Sequence, residues 1–296
     1  ADLLTSMVGE FPSLQGIMGR VYALHDGEPA AVALAIEEHY LPVRAGGAVP
    51  SSLPGALVGV ADRMDTLAGC FAIGEKPTGN KDPFGLRPQA LGLISIIRQQ
   101  GLSFSLRELA QTALAQYSHL GSVGEQCLEE LLAFIRLRFE NEQIAEGRPQ
   151  EVVEAATMAR FDDLSNCLLR IEALLALQKE ENFRILAASF KRIRNIVKEN
   201  RATDIRPELF SEDTEKALFT ALREAQEKSR PFLAAAEYRQ ALEAMLLIKG
   251  PVDLFFDQVM VMAEDRQQRQ NRLNLLTALR AMILEVGDIS RIHAED

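Results

Sequence analysis

Six cations lie within residues 191–206, namely Lys191, Arg192, Arg194, Lys198, Arg201 and Arg206, and only Glu199 and Asp204 oppose them there. Ammonium and guanidinium groups at helical spacing can neutralise successive phosphates, and Asn195 adds an amide suited to a base edge. Arg266, Arg269 and Arg272, interleaved with Gln267, Gln268, Gln270 and Asn271, repeat that chemistry farther on. The plainer reading of both clusters is a solvated helix face with nearby carboxylates.

Metal chemistry has thinner support. His39 falls on the apolar stripe of Val32 and Ile36, and Asp62 and Asp65 flank the apolar face of the next helix. Imidazole with carboxylates suits Mn, Fe or Mg, but a working site needs about three to four ligands, so a hydrogen-bonded core histidine is the simpler expectation. His25-Asp26 runs into the turn Gly27-Glu28-Pro29, while His119 and His293 have no company. The stretch Gly74-Glu-Lys-Pro-Thr-Gly-Asn-Lys81 looks like a phosphate loop until Asn80 stands where lysine must follow the second glycine. No Ser-His-Asp or Cys-His arrangement is apparent.

The elements that must carry these residues read as helices throughout. Leu57, Val60, Ala61, Met64 and Leu67 mark one face of a helix, and Leu186, Phe190, Ile193 and Val197 mark another. No period-two run rich in β-branched residues occurs, so the fold is expected to be all-α. Pro and Gly place breaks at 41–55, 74–88, 118–124 and 141–150, and turns at 200–213 and Lys249-Gly250-Pro251. A helix through both Phe255 and Leu276 would put its arginines and leucines on one arc, so a break is expected near Glu264-Asp265. Three segments follow: 1–100, 101–177 and 178–296.

The 296 residues carry 47% hydrophobic and 25% charged side chains, an ordinary globular composition, and a net charge of −10 provides no global positive field for nucleic acid. Any RNA contact must be a local patch. Cys70, Cys127 and Cys167, odd in number and far apart, indicate neither a disulfide framework nor structural zinc. No apolar stretch reaches the roughly 20 residues of a membrane span, so a soluble cytosolic protein is expected. The abrupt start at Ala1 suggests the beginning of a longer protein has been removed.

Several runs together carry a family resemblance. They are Asp2-Leu-Leu-Thr-Ser-Met-Val-Gly-Glu-Phe-Pro12, Leu14-Gln-Gly-Ile-Met-Gly19, Glu38-His-Tyr40, Ala61-Asp-Arg-Met-Asp-Thr-Leu67, Phe71-Ala-Ile-Gly74 and Lys76-Pro-Thr-Gly-Asn-Lys-Asp-Pro-Phe84. With Phe190-Lys-Arg-Ile-Arg-Asn-Ile196, Val252 to Asp265, Asn271-Arg-Leu273 and Asp288-Ile-Ser290, they closely resemble the β subunit of bacterial glycyl-tRNA synthetase along the whole chain.

The resemblance implies a share in an α2β2 ligase that joins glycine to tRNA(Gly) using ATP and Mg, with the adenylate-forming site on the α subunit. It implies an HD-like helical domain over 1–100, a helical linker over 101–177, and a helical anticodon-binding domain over 178–296 similar to that of arginyl-tRNA synthetase. His39, Asp62 and Asp65 would then be vestigial HD positions, with Gln15 where a ligand histidine is expected and no metal held. Contacts to tRNA would fall on Lys191, Arg192, Arg194, Asn195, Lys198, Arg201, Arg266, Arg269, Asn271 and Arg272. Neither catalytic residue nor cofactor is expected in this chain, nor a membrane or DNA partner, and the location is the bacterial cytoplasm. The competing readings are a metal-dependent HD-type phosphohydrolase and a non-catalytic helical scaffold.

Overall fold

A computed structural model describes residues 1–120 and 123–292. Among the described residues there is no β-sheet, only one isolated backbone bridge between Thr78 and Lys81, so the expected all-α class is correct. The chain divides into two compact units, residues 1–142 with 162–165, and residues 143–161 with 166–296. The segment read as a separate linker over 101–177 is therefore divided between the two.

The first unit contains α1 (Ser6–Glu10), α2 (Ile17–His25), α3 (Ala30–Glu38), α4 (Leu53–Ala72), α5 (Leu86–Gln99), α6 (Leu106–Ala115) and α7 (Glu125–Ala145, apart from its last three residues). Its core is α4 against α5 and α6, with Met64, Leu67, Leu93, Ile94 and Leu106 fully buried. Each such side chain contributes about 1.5–3 kcal/mol by leaving water. Buried polar groups fasten the loops to this core. Asp2 accepts the Gly16 and Gly19 N–H groups at 2.7 and 2.8 Å. A Cβ on Gly19 would stand 2.6 Å from Ile36, so α2 and α3 require glycine at their contact. Glu38 accepts from the backbone and hydroxyls of Ser51 and Ser52, fixing the loop that leads into α4. Arg63, buried in α4, donates to the carbonyls of His39 and Gly59 at 2.9 and 3.1 Å and to that of Tyr40 at 3.1 Å.

The second unit contains α8 (Gln150–Ala159), α9 (Leu164–Leu177, apart from its first two residues), α10 (Glu181–Val197), α11 (Asp213–Ala234), α12 (Tyr238–Met245), α13 (Lys249–Gln258) and α14 (Arg266–Leu284). The predicted face of α10 is the real one: Leu186, Phe190, Ile193 and Val197 are all buried, joined by Phe183. The break foreseen near Glu264-Asp265 is also there, with the Asp265 carboxylate capping α14 by accepting the Gln268 N–H at 2.8 Å.

Other boundaries move. Lys249-Gly250-Pro251 is the first turn of α13 rather than a free turn, because proline lacks only an N–H that an opening turn leaves unused. Asn141 lies within α7, and the break is confined to 146–149, where Gly147 takes φ +93°. Val32 and Leu57, expected on buried faces, are 44% and 48% exposed.

Candidate nucleic-acid interface

The buried stripe of α10 leaves its opposite flank to solvent, and there the side chains of Lys191, Arg192, Asn195 and Lys198 are exposed and Arg194 half-buried. No carboxylate pairs with Lys191, Arg194 or Lys198 among the described residues, so the plain reading, a flank neutralised by its neighbours, lacks its counter-charges. Arg192 lies over the Phe256 ring, 4.1 Å from guanidinium carbon to centroid, a cation–π contact that orients it while its edge stays wet. Lys198 ends the helix at φ +32°, outside helical register, so the continuous row of Lys191, Asn195 and Lys198 is interrupted at its last member.

Beyond Lys198 the chain is held by amides of α14. Asn271 accepts the Arg206 N–H at 2.8 Å and donates to the Arg206 carbonyl at 3.0 Å. Asn274 donates to the Asp204 carbonyl at 2.6 Å, and Gln270 donates to the Asn200 side chain at 2.9 Å. Asn200 in turn donates to Thr277 at 2.7 Å. These bonds lay the 200–206 segment along residues 270–277 of α14; in the helix's first turn Arg266 is exposed and Arg269 half-buried. Arg201 donates to the Lys198 carbonyl at 2.7 Å and keeps the rest of its guanidinium in solvent.

Two of the expected contacts are corrected. Arg272 is buried, not set at a solvated turn. Its Nε donates to Glu215 at 2.8 Å, and its terminal nitrogens donate to Glu215, to Ser211 at 3.0 Å and to the Met260 carbonyl at 2.9 Å. Asn271 is likewise buried, and its amide both accepts from and donates to the Arg206 backbone. Both side chains face inward, away from a base. The physical reason is that α14 is enclosed on nearly all sides from Asn271 onward, so Arg272 enters the core and takes a carboxylate with it, while Arg266 and Arg269 precede the enclosed part.

Sequence reading missed Glu215, which also accepts the Ser211 and Glu212 N–H groups at the start of α11. Burial pushes its carboxyl up, but Arg272 and the two backbone donors outweigh that and hold it below the usual carboxylate value. The available signal was a glutamate three residues after the Glu212 cap, the spacing of a capping box.

In the first unit His39, Asp62 and Asp65 do line one cavity of about 730 Å3 between α3 and α4, with apolar walls that include Val32 and Ile36. Val32 is exposed because it faces this space. The donor set does not fit a metal: among the described residues no group of three or more His, Cys, Asp or Glu side chains is placed to hold one. His39 spends Nδ1–H on the Ile36 carbonyl at 2.8 Å, and Asp65 accepts the Tyr117 hydroxyl at 3.0 Å. Gln15 is exposed. His25 ends α2 with Asp26 as its cap, both in solvent, and His119 is exposed. His293 lies outside the described residues. The 74–88 loop closes on itself through Thr78 and Lys81, whose backbones exchange two hydrogen bonds. Among the described residues no helix is long and apolar enough to cross a membrane.

Comparison with known proteins adds independent findings. Residues 1–158 match the family described as glycyl-tRNA synthetase beta subunit, and residues 186–294 match the DALR anticodon binding domain. The chain is similar to the glycine–tRNA ligase beta subunits of Trichlorobacter lovleyi and Geobacter sp. strain M21, 45% identical to each over 293 residues. It is 42% identical over 297 residues to that of Moorella thermoacetica. These alignments cover 99% of the chain but only 42–43% of each relative, so the chain spans under half their length.

Proposed function

The chain belongs to the glycyl-tRNA synthetase β-subunit family, and from that premise we propose that it is a tRNA-binding portion of a glycine–tRNA ligase, engaging tRNA(Gly) and its anticodon through the second unit. One observation carries the reading. The unpaired cations of α10 and of the segment after it lie within the residues that match an anticodon-binding domain. Lys191, Arg194 and Lys198 hold phosphates, Arg192, Arg201 and Arg266 support them, and Asn195 and Arg269 are the groups left to face bases.

The partner is the ligase α subunit, which carries glycine activation and uses ATP and Mg for it. This chain uses neither, and it works in the bacterial cytoplasm without membrane or DNA partners. Glycine-dependent ATP–pyrophosphate exchange by this chain alone would overturn that division of labour. The phosphohydrolase alternative fares poorly because His39, Asp62 and Asp65 share a cavity without forming, among the described residues, a group of three or more side chains placed to hold a metal. Stoichiometric manganese or iron, abolished by Asp62→Ala, would revive it.

The central test is binding of a tRNA(Gly) transcript against one with altered anticodon bases. Lys191→Ala, Arg194→Ala and Lys198→Ala should weaken both transcripts alike, each lowering the slope of log affinity against log salt by about 0.7–0.9. Arg269→Ala should instead weaken the cognate transcript more, where a base contact is worth about 1–3 kcal/mol of discrimination. Equal affinities for the two transcripts in the unsubstituted chain would refute anticodon reading.

A further inference from the structure

A second group of unpaired cations lies in the first unit, remote in sequence from the anticodon-domain match. Arg44, Arg87 and Arg138 line one cavity of about 670 Å3, between the loop that follows Leu41, the start of α5 and the end of α7. None of the three has a carboxylate partner among the described residues. Gathering like charges is unfavourable unless something answers them, and Arg87 and Arg138 are held in place while Arg44 stays exposed beside them. Arg87 donates to the Gly79 carbonyl at 2.5 Å, so the glycine- and proline-rich loop acts as its brace. Arg138 stacks on Phe134 with its guanidinium carbon 3.9 Å from the ring centroid. Burial, and then the charge of Arg87, push the Arg138 guanidinium below its ordinary value, and the charge of Asp82 offsets part of this.

Glu142 lines this space and Asp82 lies near it, and both carboxylates are already engaged. Asp82 spends its oxygens on the N–H groups of Leu86 and Arg87 at 2.8 and 2.9 Å, capping α5. Glu142 is paired with Arg98 at 2.9 Å. Three arginines therefore remain for an anion. The rest of the lining is of two kinds: apolar Pro42, Val43, Pro88 and Leu91, and polar Ser95 and Asn141. A guanidinium cluster beside an apolar wall, in a space of ordinary ligand-pocket size, matches a nucleotide better than a bare anion, because the wall offers a base a surface to lie against.

We infer that this cavity seats one nucleotide, its phosphate on Arg44, Arg87 and Arg138 and its base against Pro42, Val43, Pro88 and Leu91, with Asn141 and Ser95 as hydrogen-bonding partners. The nucleotide comes either from a bound RNA or from a free nucleoside phosphate. If it comes from tRNA, the inference adds a second RNA contact to the proposed function. If it is free, the inference stands apart from that reading.

The full chain is titrated with ATP, with adenosine 5′-monophosphate and with the tRNA(Gly) transcript, and the titrations are repeated on Arg44→Ala and Arg44→Ala/Arg138→Ala. Arg44 is exposed and braces nothing, so the single variant is expected to keep its fold, checked by circular dichroism. Saturable mononucleotide binding weakened about tenfold or more in both variants supports a free nucleotide. Weaker tRNA binding with a salt slope lowered by about 0.7–0.9 per arginine, without mononucleotide binding, supports an RNA nucleotide. Binding of all three probes unchanged in folded variants overturns the inference, as does no binding of any probe. Lys191→Ala/Arg194→Ala is the control. Loss of tRNA binding there but not in the cavity variants leaves the anticodon reading standing and rejects an RNA source for the cavity. The reverse pattern rejects the anticodon reading and keeps the cavity.

Discussion

Arg272 and Glu215 form a buried ion pair within the second unit, and the guanidinium donates four hydrogen bonds there. Removing one member of such a pair strands a charge in the core, and Arg272→Ala is expected to cost about 3–5 kcal/mol. Arg272→Met with Glu215→Gln should recover part of this, since the amide oxygen still accepts the backbone of α11 without leaving an uncompensated charge. Urea midpoints followed by circular dichroism decide it, and a double variant no more stable than the single would refute the buried-charge account. His39 gives a prediction of a different kind. Burial disfavours its imidazolium and sets its pKa below the ordinary 6.5, so as pH falls the unfolded chain takes up the proton first. The stability it contributes is full above about 6.5 and declines as pH drops through that value, whereas Glu38 and Glu215, held below 4.5, lose theirs only at lower pH. Urea midpoints at about pH 7.5 and about pH 5.5 should therefore differ in the unsubstituted chain and differ less in His39→Gln. An equal difference in both would remove His39 from the account.

The elements were legible in proportion to how one-sided their surroundings are. Helix α10 faces a core on one side and water on the other, so its 3.6-residue period named its buried residues from the sequence. Helix α14 is buried on nearly every side, so its period carried no information about which polar groups go inward. Arg272 looked like a surface cation because its partner stands 57 residues earlier, a tertiary pairing that no local pattern encodes. The same blindness applied to Asn271, whose role is to hold the 200–206 segment. Asn271→Ala leaves the N–H and carbonyl of Arg206 without their partner, and a lost buried bond of this kind costs about 1–3 kcal/mol. Hydrogen exchange should locate the damage: amides within 200–206 are expected to lose protection while those of α10 keep theirs. Uniform loss across the second unit would mean that the segment is not a separable element.

At the scale of the chain, composition excluded a general positive field but could not say where attraction to RNA would come from, nor that residues 143–161 and 166–177 would join the second unit. A net charge of −10 makes the quantity of binding as informative as its existence. If Lys191, Arg194 and Lys198 each neutralise one phosphate, the slope of log affinity against log salt owed to them is about −2 to −3. Raising salt from about 50 to about 200 mM would then weaken binding roughly 20- to 40-fold through these contacts, against the 10³- to 10⁵-fold loss of a protein with six to ten contacts. Lys191→Ala/Arg194→Ala/Lys198→Ala should remove that share in the same proportion for cognate and altered anticodons, because a phosphate carries no sequence. Any slope that survives this substitution and falls with Arg44→Ala/Arg138→Ala belongs to the cavity of the first unit. A slope steeper than about −5 that neither set reduces would show that the acidic chain binds RNA through a surface other than these two, since released counterions count neutralised phosphates wherever they lie.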